Sequence, residues 1–464
     1  MNIKSLSYCD TGTAVPKSHK LTNVSFGHKL GGFRRPGIKF NPVRLASEIS
    51  RGGSGIGPID VPEIPRIERE IARTGRRCKK KYKDKTPVFV GFGGNLCFGH
   101  MSLAETLEEI FSHKNVKIFT KDKNAIKKSG YKALKEKEIY DPKVVKDHTV
   151  YIISPSYTHT EYVEKLSKIE EIKGIYVDKP IGISPRDLEI LKKLDASKVY
   201  AGDHYYFGNL AALRLMGVDM PMGEYVTINL DKTLNKKFTT CINEAVPYFK
   251  DNEIASIRTI MHETDDNGIL RARNWYRNDM GGGILLDFQF HLHNLLNMMG
   301  LKLNQIDYAK GLKMPIKPEV IDLLNQGATL KDLKKFDKLK IKSVEEAVLA
   351  KGRINGEIPF EMDTVRGIKD NTRTLEITGW NGERILISAS SSKKRVELFD
   401  RKGNIIGAAI TDGEPYDLMF MDVEEKMSNA KDNAQFLKAL WEAQLASLQQ
   451  IFDIKKLLGN LWVG

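Results

Sequence analysis

Residues 87–94 read PVFVGFGG, and the segment that follows, NLCFGHMSLAETLEEIFSHK (95–114), places apolar residues at helical spacing. A short apolar strand that runs into glycines and leaves as a helix is the opening of a dinucleotide-binding turn. There the missing Cβ atoms let the main chain approach a pyrophosphate, which sits on the helix N-terminus. Gly91, Gly93 and Gly94 form the turn and Asn95 opens the helix. The usual third glycine position holds Leu96, so the match to GxGxxG is incomplete.

The same rhythm continues downstream. NVKIFTK (115–121) reads as a second strand and HTVYIISPSYTH (148–159) as a strand ending in a polar turn. The helix TEYVEKLSKIEEI, the strand and turn GIYVDKPIGIS, the helix PRDLEILKKLD and the segment KVYAGDHYYF complete the series. Strands alternating with helices at this spacing predict a parallel, doubly wound sheet over residues 87–210. Its second strand should end in the residue that reads the ribose. An acid there would suit the hydroxyls of NAD. Thr120 followed by Lys121 and Lys123 instead suits the extra phosphate of NADP, the preferred expectation, with NAD as the alternative.

After residue 210 the pattern changes. GEYVTINLDKT, ASIRTIMHET, QIDYAKGLKM, AVLAKGRING, RTLEITGW, ERILISAS and RVELFDRKGN read as strands, with NGE, WNGE and RKGN as hairpin turns. Helices are expected over 283–299 and in DNAQFLKALWEAQLASLQQIFDI. Residues 211–464 therefore form a second, α+β domain. Within GGGILLDFQFHLHNLLNMM (281–299), Asp287, His291 and Asn294 fall at i, i+4 and i+7, one face of an α-helix, with no Lys, Arg or Glu beside them. An acid and an imidazole on a half-buried face need a polar cavity or each other. His293 falls on another face and is expected to be structural.

The segments VFVGFGG, YIISPSYTH, YVDKPIGIS and GGGILLDFQFH, in this order, resemble the Gfo/Idh/MocA family of glucose–fructose oxidoreductase, inositol dehydrogenase and rhizopine-catabolism proteins. The resemblance runs from about residue 87 to the C-terminus. It implies an N-terminal Rossmann dinucleotide-binding domain and a C-terminal α+β domain on a large, mostly antiparallel sheet. It also implies that Ser154, Pro155 and His159 lie beside the cofactor. Lys179, in Asp178-Lys179-Pro180 where the family has Glu-Lys-Pro, would contact the nicotinamide and the reacting oxygen. Asp287 and His291 match the family's Asp-x-x-x-His. Arg277, in NWYRNDMGGG, and Asn294, where the family often has Asp, are implied neighbours of the substrate. A second likeness is to glucose-6-phosphate dehydrogenases, whose motifs GFGGNL, DKPIG and GDHYYFGN resemble. Asp203, His204 and Tyr205 match there, while Asn209 replaces the phosphate-binding lysine. In either case His204 and Tyr205 are expected to face the interdomain cleft.

The expected chemistry is hydride transfer between a nicotinamide and a hydroxyl-bearing carbon of a sugar, sugar phosphate or cyclitol. His291 would act as base, Lys179 would stabilise the oxyanion, and Asp287 would orient the substrate or bias the imidazole tautomer. The alternatives are a non-catalytic NAD(P)-binding sensor of the same fold and a glucose-6-phosphate-dehydrogenase-like enzyme.

Composition bounds the rest. A chain of 464 residues, 41% hydrophobic and 28% charged, suffices for two or three globular domains. No run reaches the ~20 apolar residues of a membrane span. The N-terminus has no secretory signal core, and Cys9, Cys78, Cys97 and Cys241 lack CxxC or CxxH spacing. Reduced thiols, no zinc site and a cytoplasmic location are therefore expected. The net charge of +14 is concentrated in residues 1–87, which hold 19 Lys and Arg against 7 Asp and Glu. Residues 1–86 thus form a basic, Gly/Pro-rich extension, read as a solvated arm rather than as a contact for a polyanion or acidic partner, on a nearly neutral body that does not resemble a nucleic-acid binder. The resemblance implies a homo-oligomer built through the second domain's sheet.

Overall fold

The computed structural model describes residues 82–91, 110–112, 115–121, 131–220, 226–263, 282–314, 344–366, 372–389 and 395–458. The basic extension up to residue 81 lies outside the described residues, as do Gly93, Gly94, Asn95 and Arg277.

Strands β1 (Val88–Val90), β2 (Lys117–Phe119), β3 (Lys132–Ala133), β4 (Thr149–Ile152), β5 (Gly174–Val177) and β6 (Val199–Ala201) form one sheet in the order β3-β2-β1-β4-β5-β6. Every pairing is parallel. This is the doubly wound order, and its direction reverses between β1 and β4, where such sheets take their ligands. Strands β1, β4, β5 and β6 are buried at every residue, as in a sheet covered on both faces. Helices α1 (Pro142–Val145), α2 (His159–Leu166) and α3 (Pro185–Leu191) lie in the connections. The start of α3 is set by sequence: Ser184 Oγ accepts from Asp187 N at 3.2 Å and Asp187 Oδ2 accepts from Ser184 N at 3.0 Å, a capping box with Pro185 at the first helical position.

The segment KVYAGDHYYF is not one strand. β6 stops at Ala201, and α4 (His204–Gly208) and α5 (Leu210–Leu215) follow. Asp203 causes the switch, because its carboxylate accepts from Tyr205 N at 2.9 Å and caps α4.

The second sheet contains β7 (Thr227–Thr233), β8 (Ile254–Glu263), β9 (Leu303–Met314), β10 (Val344–Ile354), β11 (Ile358–Arg366), β12 (Arg373–Gly379), β13 (Arg384–Ser388), β14 (Arg395–Phe399) and β15 (Ile405–Asp412). Its order is β7-β15-β14-β13-β12-β8-β11-β10-β9. Only β8–β11 pairs in parallel, so the sheet is mixed, with antiparallel pairs dominating. Sequence reading stops at the NGE and RKGN turns and misses β11 and β15. β15 reads IIGAAITD, whose glycine and alanines carry little strand propensity; Gly407 is small because a Cβ there would stand 2.6 Å from Phe238 Cγ.

The remaining helices are α6 (Lys236–Glu244), α7 (Phe290–Met298), α8 (Pro415–Ser428) and α9 (Ala434–Leu458). After residue 415 the chain returns to the first sheet, which a boundary at residue 210 does not convey. Tyr151, Tyr176 and Tyr200 stand in register on β4, β5 and β6. Tyr151 OH donates to Glu424 at 2.6 Å and Tyr200 OH to Asp422 at 2.7 Å, both acids on α8. Each such bond to a charged acceptor contributes roughly 1.5–3 kcal/mol. Among the described residues no helix is long and apolar enough to cross a membrane.

Candidate active site

Three segments converge where β5, β6 and the start of α7 meet. The first is the turn after β5. Asp178 Oδ1 accepts from Lys179 N at 2.9 Å, and the Lys179–Pro180 peptide is cis. Lys179 Nζ donates to the Asp287 carbonyl at 2.6 Å and stands 3.4 Å from Asp287 Oδ1.

The second segment is the helix carrying Asp287 and His291. It is not a regular α-helix throughout. Leu285–Gln289 form a π-turn, with α7 beginning at Phe290. The wider turn changes the angle between Asp287 and His291, so the simple i, i+4 face does not hold, and Asp287 turns to Lys179. Such single π-turns are frequent at functional sites. The turn is anchored from below. Gln289 Nε2 donates to Thr259 Oγ1 on β8 at 3.0 Å, and Thr364 Oγ1 on β11 donates to Gln289 Oε1 at 2.9 Å.

The third segment is the start of α4. Asp203 is fully buried, and three donors converge on it. His291 Nδ1 stands 2.8 Å from Oδ1, Asn294 Nδ2 2.9 Å from Oδ2, and Tyr205 N caps Oδ1. With donors on both oxygens, the ionised carboxylate is the form the site satisfies, although burial pushes its pKa up against the pull of His204, Asn294, Tyr205 N and Lys179. The Tyr205 ring lies flat on the His291 ring, centroids 3.9 Å apart and planes 8° apart. Arg373, on β12, donates to Tyr205 OH at 3.0 Å. His204 meets His291 edge-on at 4.9 Å and stacks on Tyr416 at 4.4 Å.

The electrostatics follow from this packing. Burial, then Lys179, then Arg373 hold the His291 imidazole well below its ordinary pKa of 6.5. The ring is therefore neutral at physiological pH. A carboxylate cannot donate, so Nδ1 carries the ring's proton and Nε2 keeps the lone pair. Burial and the neighbouring His291 depress His204 in the same direction. Ligand atoms of Asp203, His204 and His291 lie within 4.8 Å of one another. Asp203 already accepts three hydrogen bonds, and Lys179 and Arg373 add positive charge nearby, so these groups form a hydrogen-bonded pair with an aromatic wall rather than a cation site.

Several expectations change. Of the two roles expected for Asp287, orienting the substrate or biasing the His291 tautomer, the second falls to Asp203, which holds Nδ1. Asn294 was expected beside the substrate, but it is 0% exposed and sits behind Asp203. His159 is also sealed, at 1% exposure. Its Nδ1 faces Pro180 O at 2.8 Å and its Nε2 faces Ser154 O at 2.6 Å. It ties the turn after β4 to the turn after Lys179 and has no ring nitrogen left for a cofactor. Asn209, also buried, donates to Tyr205 O at 2.8 Å. His293 is buried against Gln450, at 2.8 Å.

At the switch point, Gly91 ends β1 with φ +99°, and a Cβ there would overlap the Ser154 backbone. Ser154 Oγ and Thr158 Oγ1 lie 2.6 Å apart in the neighbouring turn, which Pro155 opens. Thr120 follows β2, and Lys121 stands 3.9 Å from Glu136, both side chains exposed. An ion pair of that kind holds Lys121 by less than ~1 kcal/mol. Two residues of the site were absent from the expected set. Asp203 was visible in GDHYYFGN as an acid before a helix start. Arg373 has no local signal, because it arrives from a strand 168 residues beyond Tyr205.

No protein-family model matches the chain, and no curated protein is similar to it in sequence. Solved structures are similar in fold. A levoglucosan dehydrogenase in complex with NADH and levoglucosan is 14% identical, covering 81% of this chain and 98% of its own, with a TM-score of 0.51. A 3-ketoreductase from Actinomadura kijaniata, in complex with NADP, is 12% identical over 80% of this chain and 97% of its own, with a TM-score of 0.52. An aldose-aldose oxidoreductase from Caulobacter crescentus is 12% identical over 81% and 98%, also with a TM-score of 0.52. The chain thus shares the fold of these oxidoreductases.

Proposed function

We propose that the protein is an NAD(P)-dependent oxidoreductase acting on a hydroxyl-bearing carbon of a sugar, sugar phosphate or cyclitol. The observation that carries this reading is the Asp203–His291 pair beside Lys179, at the carboxyl ends of parallel strands β5 and β6. A dinucleotide fits the chain's own residues. Gly91 leaves the switch point clear of a Cβ, and Thr120 and the weakly held Lys121 stand where a ribose phosphate would be read, which favours NADP. When bound, the nicotinamide supplies or accepts the hydride.

The residues divide the remaining work. His291 Nε2 takes the hydroxyl proton, and Asp203 supports the imidazolium that results. Lys179 presents its ammonium to the oxygen as negative charge develops there. Asp287 holds Lys179 in place. Arg373 fixes Tyr205, whose ring keeps the His291 plane. The positive field of Lys179 and Arg373 also suits a substrate bearing an anionic group, which keeps sugar phosphates within the class.

The test is a fluorescence titration with NADPH and NADH, followed by a turnover screen on polyols, sugars and sugar phosphates. We expect binding and turnover, with His291→Gln reducing turnover by roughly 10²-fold or more and leaving cofactor binding intact. Unchanged turnover in that variant would remove the base assignment. Binding without turnover on any substrate would leave the sensor reading.

A further inference from the structure

The contact between α7 and α9 is polar in a place where two buried helices would ordinarily meet through leucines. Asn294 and Ser447 are 0% exposed, Gln450 6% and Asn297 7%. They form one hydrogen-bonded chain. Gln450 Nε2 donates to Asn297 Oδ1 at 3.0 Å, and Asn297 Nδ2 donates back to Gln450 Oε1 at 3.1 Å. Asn297 Nδ2 also donates to Ser447 Oγ at 2.9 Å. Ser447 Oγ stands 3.3 Å from Asn294 Oδ1, and Asn294 Nδ2 donates to Asp203 Oδ2 at 2.9 Å.

The direction of this chain is set from the Asp203 end. A carboxylate only accepts, so Asn294 presents its NH₂ to Asp203 and its carbonyl to Ser447. Ser447 has one proton, shared between Asn294 Oδ1 and Ala443 O at 2.8 Å. Asn297 must therefore donate to Ser447, which fixes Gln450 in turn. An apolar interface would join the helices without desolvating these amides. What the polar one adds is a connection to the carboxylate that holds His291.

We propose that Ser447, Asn297 and Gln450 are positioning residues that tune the proton affinity of His291 through Asn294 and Asp203. A donor on Asp203 Oδ2 draws negative charge away from Oδ1, the atom facing His291. Loosening that donor concentrates charge on Oδ1 and strengthens the bond from Nδ1–H, which favours the imidazolium. The catalytic meaning rests on the proposed function, but the coupling itself does not.

The test is NMR of the full chain with ¹⁵N-labelled histidine. In Ser447→Ala, the His291 titration midpoint rises by about half a pH unit or more, and its Nδ1–H resonance at pH 7 moves downfield. Ser447→Thr restores both. Asn297→Ala, one link further out, moves them the same way by less, and stands in should Ser447→Ala fail to fold. Tyr151→Phe breaks a bond of similar burial, to Glu424, outside this chain and away from α7, and leaves both signals in place. Unmoved signals in Ser447→Ala and Asn297→Ala would overturn the proposal, as would an equal shift in Tyr151→Phe. Because neither substrate nor cofactor is needed, a shift in a protein without turnover would keep this coupling while removing the enzymatic reading.

Discussion

His291 depends on a partner that its own helix does not supply. Asp203→Asn keeps the size of the side chain but removes the obligate acceptor, so the imidazole is free to carry its proton on Nε2, where it cannot act as base. We expect turnover to fall by roughly 10²–10⁴-fold while the fold persists. Steady-state assays with the substrate found by screening measure this, and retained turnover would show that the tautomer is set elsewhere. At this scale the sequence was partly legible. Lys179, Asp287 and His291 stand in recognisable motifs. The partnership of Asp203 with His291 spans 88 residues, and no spacing rule reaches across two separate elements. Asn294 was misplaced for a related reason: periodicity gives the face of a helix, whereas what covers that face comes from α9.

Among the elements, the turn after β1 makes the sharpest demand on one residue. Gly91→Ala meets both a positive φ and the Ser154 backbone. We expect a loss of roughly 1–3 kcal/mol, read as a lower denaturant midpoint, together with weaker NADPH binding. An unchanged midpoint would mean that the β4 turn yields at little cost. Five strands of the first sheet were legible because burial gives continuous apolar runs, whereas β3, two exposed residues, was not read. The π-turn at Leu285–Gln289 was not, since one extra residue in a helical turn leaves composition and apolar pattern unchanged. β11 and β15 were hidden because their pairing comes from neighbours rather than from their own propensity.

For the whole molecule, the buried imidazoles set the response to acid. Burial lowers His293 to about 4 from the ordinary 6.5, and His159, His204 and His291 are lowered as well. Between pH 6.5 and 4 the unfolded chain binds a proton at His293 that the native chain does not. Stability is therefore full above that window and falls as the pH drops through it, by up to about 3 kcal/mol from this one residue. Thermal melts from pH 7 to pH 5 should show a falling midpoint, and His293→Gln should flatten the slope. An equal slope in that variant would assign the sensitivity to other groups. The long-range architecture has one more consequence, which concerns time. Gln444, on α9, donates to Gly202 O at 2.9 Å, one residue before Asp203, and Ser447 and Gln450 reach α7. Because a ribosome delivers residues in order, Asp203 and His291 emerge well before residues 434–458 can brace them. A nascent chain thus carries both members of the pair before it carries their support, and the site is completed only once residues 434–458 have been synthesised.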